Sequence, residues 1–121
     1  MKAFRKKVKK NRIYREYVDV INGKLQLSHR EADVLATLLQ LNREWGTMVK
    51  DAGNILSTDV RRVLMRETRI TKTNLARYTT ALKKKGVLVD VGNGNLQLNE
   101  TFIPEFDEKG NCEVMFILDV V

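Results

Sequence analysis

At Gly86 the spacing of apolar residues changes from a helical to a strand period. Upstream, Leu75, Tyr78, Thr79 and Leu82 recur three and four residues apart, which lines one face of a helix. Downstream, Val87, Val89 and Val91 alternate with Leu88 and Asp90. Gly92-Asn93-Gly94-Asn95 then turns the chain and Leu96-Gln97-Leu98-Asn99 returns it. The pattern predicts a helix over Lys72 to Lys85, capped by Thr71 and ended by Gly86 in the left-handed conformation. That helix runs directly into a β-hairpin. A junction of this kind commits the chain to an α+β arrangement in which helix and hairpin share one core.

The preceding sequence supplies further helices. Ser28-His29-Arg30-Glu31 fits a capping box, in which Ser28 and Glu31 satisfy each other's backbone amides. The helix that follows, His29 to Asn42, carries Ala32, Val34, Leu35, Leu38, Leu39 and Leu41 on a broad stripe, so it is expected at the centre of the core. His29 falls in its first turn, as a solvated residue. Ser57 or Thr58 caps another helix starting near Asp59, with Val60, Val63 and Leu64 as its apolar face. Between them, Arg43 to Leu56 is irregular, with Trp45, Met48 and Val49 tucked under the domain. Tyr14 to Leu27 reads as a hairpin: Val18 and Val20 alternate, Leu25 and Leu27 alternate, and Asn22-Gly23 is the pair favoured in a tight type I′ turn. Tyr14 and Tyr17 pack within that hairpin.

Beyond the hairpin after Gly86, Pro104 is the only proline and ends the region. Asp107-Glu108-Lys109-Gly110-Asn111 reads as a turn. Cys112 to Val121 reads as a final strand, with the continuous apolar run Val114-Met115-Phe116-Ile117-Leu118. Such a run is hazardous at an open sheet edge, so it is expected to be covered, by this domain or by a second copy. Met48, Met65 and Met115 read as core fillers, and Cys112 as packed rather than reactive.

The charge is distributed in blocks. The chain of 121 residues has a net charge of +7, but residues 1–12 carry seven Lys/Arg and no acid. Residues 13–60 hold five basic and seven acidic groups, 61–85 nine basic and one acidic, and 86–121 one basic and seven acidic. The first block has too little apolar content for a core element and reads as a flexible basic arm. The length suits one domain over 13–121, with its core in 28–99 and a β extension in 100–121.

Several classes of function are disfavoured. No apolar stretch approaches the roughly 20 residues that span a bilayer, and no apolar segment of a secretory signal follows the basic start. Cys112 and His29 are the only cysteine and histidine, too few for a zinc site of the usual kind and for an intrachain disulfide, so a cytoplasmic setting is expected. There is no phosphate-binding glycine motif. We therefore expect a non-enzymatic chain without cofactor or metal.

The segment Ile70-Thr71-Lys72-Thr73-Asn74-Leu75-Ala76-Arg77-Tyr78-Thr79-Thr80-Ala81-Leu82-Lys83-Lys84-Lys85-Gly86-Val87-Leu88 resembles the turn, recognition helix and first wing residues of bacterial and phage winged helix-turn-helix domains. The resemblance covers roughly Ser28 to Asn99. Around the wing, Leu96-Gln97-Leu98-Asn99 followed by Phe102-Ile103-Pro104 is similar to plasmid and phage replication initiators. Small transcription regulators of bacteria and phages fit nearly as well. The long Arg43–Leu56 link departs from the compact form of the motif. The resemblance implies three helices plus a hairpin wing, here with an extra N-terminal hairpin and C-terminal strand, and DNA as the ligand.

The residues support that ligand on their own chemistry. A helix enters the major groove with the N-terminal part of one face toward the base edges. Thr73 and Asn74 are short and polar, and Asn74 has the donor and acceptor that match adenine. Arg77 reaches guanine or phosphate, Lys72 either, and Thr80 and Lys84 lie further along. Arg61, Arg62, Arg66 and Arg69 would flank the groove and neutralise phosphates. Lys6, Lys7, Lys9 and Lys10 of the arm would follow the backbone or enter a minor groove. The wing tip carries no Lys or Arg. RNA is the rival ligand, although no aromatic stacking motif is present. The sequence thus predicts a transcription regulator or replication-associated factor bound to double-stranded DNA in a bacterial or phage setting. The alternative is a phage virion, assembly or polymerase-associated component that uses the same domain structurally. A homodimer through the final strand, and a protein partner on the acidic last third, are further expectations.

Overall fold

Asn22-Gly23 suggests a hairpin, but the chain there is a helix. In the computed structural model, which describes residues 3–46 and 53–121, α1 runs from Ile13 to Leu25. The correction has a simple cause. Tyr14, Tyr17, Val18, Ile21 and Leu25 recur at helical spacing, and a helix buries Tyr17, Val18, Ile21 and Leu25 together. A strand would have put Val18 and Val20 on the same face, whereas Val20 is about half exposed. Asn22 stops the helix instead of turning a hairpin. Its Oδ1 accepts the Leu27 amide at 2.6 Å, and Gln26 takes the left-handed conformation, with φ 55°.

The predicted capping box is present on both sides, Ser28 Oγ accepting from the Glu31 amide and Glu31 accepting from the Ser28 amide. It starts α2 (His29–Glu44), which buries Ala32, Val34, Leu35, Ala36, Leu38, Leu39 and Leu41. A helix apolar on most sides has to be surrounded. α1, α3 (Thr58–Thr68) and α4 (Lys72–Lys84) all pack against it. Each fully buried leucine contributes about 2 kcal/mol of hydrophobic stabilisation, and Leu35, Leu38 and Leu39 are all at the centre. Ser57, not Thr58, caps α3, accepting from the Val60 amide. Thr71 caps α4 through the Asn74 amide. Leu75, Thr79 and Leu82 are its buried positions.

Gly86 is left-handed, with φ 78°, and β1 (Leu88–Asp90) pairs antiparallel with β2 (Leu96–Leu98) in the register Leu88↔Leu98 and Asp90↔Leu96. The link between α2 and α3 joins this hairpin: the Ile55 amide donates to the Leu96 carbonyl at 2.8 Å. Ile55 is fully buried. Trp45 packs on the core, while Met48 and Val49 lie outside the described residues.

A second small sheet pairs β3 (Glu105–Phe106) with β4 (Cys112–Glu113). Asp107 organises the predicted turn between them, its Oδ1 accepting the Lys109 and Asn111 amides at 2.9 and 2.8 Å. This hairpin rests on the helices. The Tyr14 and Phe106 rings meet edge to face with centroids 6.1 Å apart. The Arg43 guanidinium lies 3.9 Å from the Phe106 ring centre. Tyr17 donates its hydroxyl to the Phe102 carbonyl at 2.7 Å. Cys112 is half-buried there, and burial pushes its thiol pKa up.

The last strand is far shorter than the sequence predicts. Residues 114–121 have no regular structure and are exposed, so Met115 is not a core filler. The reason lies in the partner strand. The next ladder position on that side after Glu105 is Ile103, whose amide is bonded to the Glu100 carbonyl at 3.1 Å instead, so no described strand faces Val114 and beyond. The core is also wider than 28–99, since α1 contributes four buried residues. Among the described residues the chain is an α+β structure with four helices and two small antiparallel sheets. None of these helices is long and apolar enough to cross a membrane.

Candidate nucleic-acid interface

Three residues, Arg69-Ile70-Thr71, connect α3 to α4. Ile70 is buried and anchors the turn. Arg69 adopts φ 54°, the left-handed conformation that closes α3. Arg30, in the first turn of α2, donates to the Thr68 carbonyl at the end of α3, satisfying a terminal acceptor. A cation in the first turn of a helix opposes the dipole, and this bond to a neighbouring helix is its compensation. Arg30 also bonds Asp33 at 3.1 Å, and Asp33 in turn accepts from Arg15 of α1 at 3.0 Å. The end of α3 is therefore fixed to the two helices behind it.

Opposite the buried face of α4, Thr73, Arg77, Thr80 and Lys84 form a single exposed stripe at helical spacing. A shallow open groove follows it, bordered on the far side by Glu31. Lys72 is exposed on one flank of the stripe. Asn74 is on the other flank and half-buried, so it is less well placed than Thr73 to meet a ligand on the outward face. The Thr80 hydroxyl donates to the Ala76 carbonyl at 2.8 Å, which leaves its oxygen available as an acceptor. The Arg77 guanidinium is 5.8 Å from the Tyr78 ring centre, at the outer reach of a cation–π contact.

Arg61, Arg62, Arg66 and Arg69 are all exposed. Arg62 faces Asp59 at 3.7 Å and Arg66 faces Glu67 at 3.4 Å. Both pairs are solvated and contribute little. Among the described residues, Arg61, Arg69, Lys72, Arg77 and Lys84 have no such carboxylate partner. Lys85 is different: its ammonium reaches the Gln26 carbonyl and Glu31, so it serves the fold.

In the first basic block, residues 3–9 have no regular structure and Lys10–Arg12 form one 3-10 turn leading into α1. Lys7, Lys9 and Lys10 are exposed, while Lys6 bonds Glu16 at 2.8 Å. Asn11, Arg30 and Arg69 line one cleft, so the block joins the domain beside the α3–α4 turn. At the other side, the β1–β2 tip carries exposed Val91, Gly92, Asn93 and Gly94, with the Gly92 amide held by Asp90 at 2.8 Å.

Sequence reasoning did not find the Ile55–Leu96 pairing or the role of Arg30. The first is a contact between distant segments with no local signature. The second had one available signal, the misplaced cation in a first turn. No family model, curated protein or solved structure matches this chain.

Proposed function

We propose that this chain is a non-enzymatic binder of double-stranded DNA, built as a winged helix-turn-helix with α4 in the major groove, and acting as a transcription regulator or replication-associated factor. The observation that carries the reading is the division of α4 into two faces. Leu75, Thr79 and Leu82 hold it to the core, while Thr73, Arg77, Thr80 and Lys84 project outward with no acid among them. The short α3–α4 turn and the bonds of Asn54 and Ile55 to Leu96 in the hairpin after α4 also support it. In this reading Thr73 and Arg77 meet base edges and Asn74 contacts the groove wall. Arg61, Arg62, Arg66, Arg69, Lys72 and Lys84 meet phosphates, as do Lys6, Lys7, Lys9 and Lys10 from the arm. The uncharged tip at Gly92–Gly94 gives backbone or Asn93 contacts.

The test is selection of bound sequences from random duplex DNA at two salt concentrations. A defined motif is expected, and if each of the ten residues assigned to phosphates neutralises one, log K falls with log salt at a slope of roughly −9. Absence of duplex binding at low salt overturns the reading. The exposed apolar segment 114–121 favours one second reading, an assembly component that holds nucleic acid without sequence preference. Tight binding with no selected motif is its signature.

A further inference from the structure

We propose that residues 114–121 form a homodimerisation strand, each copy pairing antiparallel with the same segment of a second copy about Ile117. Phe116, Ile117 and Leu118 are 63, 72 and 92% exposed. They belong to an unbroken β-prone stretch with no Pro, Gly, Lys or Arg to interrupt pairing. The stretch continues directly from β4, whose ladder with β3 stops at Glu105↔Glu113. The next ladder amide on the β3 side, that of Ile103, is bonded to the Glu100 carbonyl instead. The hairpin thus leaves this stretch without a ladder partner among the described residues.

The pattern within the segment selects a second copy. As a strand, Val114, Phe116, Leu118 and Val120 share one wholly apolar face, and Glu113, Met115, Ile117, Asp119 and Val121 the other. Only the self-pairing centred on Ile117 uses the whole of 113–121; centring on Leu118 leaves Glu113 and Val114 unpaired. Centring on Phe116 sets Glu113 opposite Asp119, a like-charge pair that destabilises a ladder. Centring on Ile117 sets Phe116 opposite Leu118, Val114 opposite Val120, Asp119 opposite Met115 and Glu113 opposite Val121. That register separates the acids and joins the two apolar faces into one continuous patch. This dimer does not depend on the nucleic-acid reading.

The experiment is sedimentation equilibrium on the full chain in the micromolar range, with Leu118→Lys and Phe116→Lys as variants. Wild type is expected to be dimeric and both variants monomeric, with far-ultraviolet helix content unchanged because residues 114–121 lie outside the helical core. A monomeric wild type overturns the proposal, and so does a dimer that survives both substitutions. The register is read by oxidation in a Cys112→Ser background. Ile117→Cys faces its own copy at cross-strand distance and is expected to form the intermolecular disulfide. Phe116→Cys is diagonal to its copy, about 7–8 Å away, and is expected to cross-link poorly. Preferential cross-linking through Phe116→Cys overturns the Ile117 register.

Discussion

The Lys85 ammonium lies 3.2 Å from the Glu31 carboxylate, the same group that accepts the Ser28 amide at 3.0 Å to cap α2. One acid therefore starts the central helix and holds the end of α4. Burial alone would raise its pKa, but the Ser28 amide and the Lys85 ammonium outweigh burial and hold the carboxyl below its ordinary value. A folded pKa below the unfolded one gives stability that is present above the ordinary glutamate range. That stability is lost as pH falls through the range and past the folded value. Glu31→Gln is expected to cost about 1 kcal/mol at neutral pH. In urea melts the gap between wild type and variant should narrow in acid. A gap of equal size at neutral and strongly acid pH would show that ionisation of Glu31 contributes nothing.

Gln26 and Arg69 both close helices in the left-handed conformation, with φ 55° and 54°. For residues with a Cβ this costs about 1–2 kcal/mol, and glycine avoids the cost. Gln26→Gly and Arg69→Gly are each expected to raise stability by about 1 kcal/mol, measured by chemical denaturation. Their effects on DNA binding should differ. Arg69 is a proposed phosphate contact, so its loss lowers the salt slope by about 0.9, whereas Gln26→Gly leaves it unchanged. Equal slopes would remove Arg69 from the interface.

Tyr17 links α1 to the segment before the second sheet through its bond to the Phe102 carbonyl. Burial, with the neighbouring Cys112 thiolate adding to it, pushes the phenol pKa up to about 12. Because the folded value is above the unfolded one, the associated stability is complete below roughly pH 10. It is lost as pH rises toward and through the folded value. Tyr17→Phe is expected to cost about 1 kcal/mol at neutral pH and to flatten the alkaline decline of stability. A variant with the same alkaline decline as wild type would point to another titrating group.

Those three sites show how far the sequence could be read. The starts of α2 and α4 were legible because a side chain at the first residue meets an amide three residues on, at Ser28 and Thr71. Such contacts are local and leave a local pattern. The hairpin after Gly86 was legible for the same reason. α1 was misread because Val18, Val20 and Asn22-Gly23 satisfy a two-residue period over a short window. The helical period of Tyr14, Tyr17, Val18, Ile21 and Leu25 wins only when α2 is there to cover it. The segment after Glu113 was misread in the other direction: its residues favour a strand, but a ladder also needs a partner, and the Ile103 amide that would continue it is bonded to Glu100. On the candidate site, the outward stripe of α4 follows from spacing alone. The demotion of Asn74 to a flank depends on how α4 is rotated against the core.

That rotation leads to a ranked prediction for α4. Arg77→Ala is expected to cost about 1–3 kcal/mol at the selected site and to relax sequence preference. Thr73→Ala should relax preference as well. Asn74→Ala should do so less than either, because its side chain is half-buried beside the stripe. Lys84→Ala should weaken all sequences alike. Competition binding against single-base variants of the selected site measures this. Loss of discrimination in Asn74→Ala with none in Arg77→Ala would mean that α4 meets DNA along a different face.

The basic block before α1 should act through charge alone. Lys7, Lys9 and Lys10 are exposed, and Lys6 is occupied by Glu16. Replacing Lys7, Lys9 and Lys10 by Ala together is expected to reduce the magnitude of the salt slope by roughly 2.7 if each meets one phosphate. It should weaken selected and random duplexes by the same factor. Glu16→Gln, which releases Lys6 from its partner, is expected to strengthen binding at low salt, with the gain screened away at high salt. Fluorescence anisotropy with both duplexes across a salt series reads all of these. A sequence-dependent loss in the triple variant would mean that the block reads bases or groove width, while an unchanged slope would separate it from the nucleic-acid surface altogether.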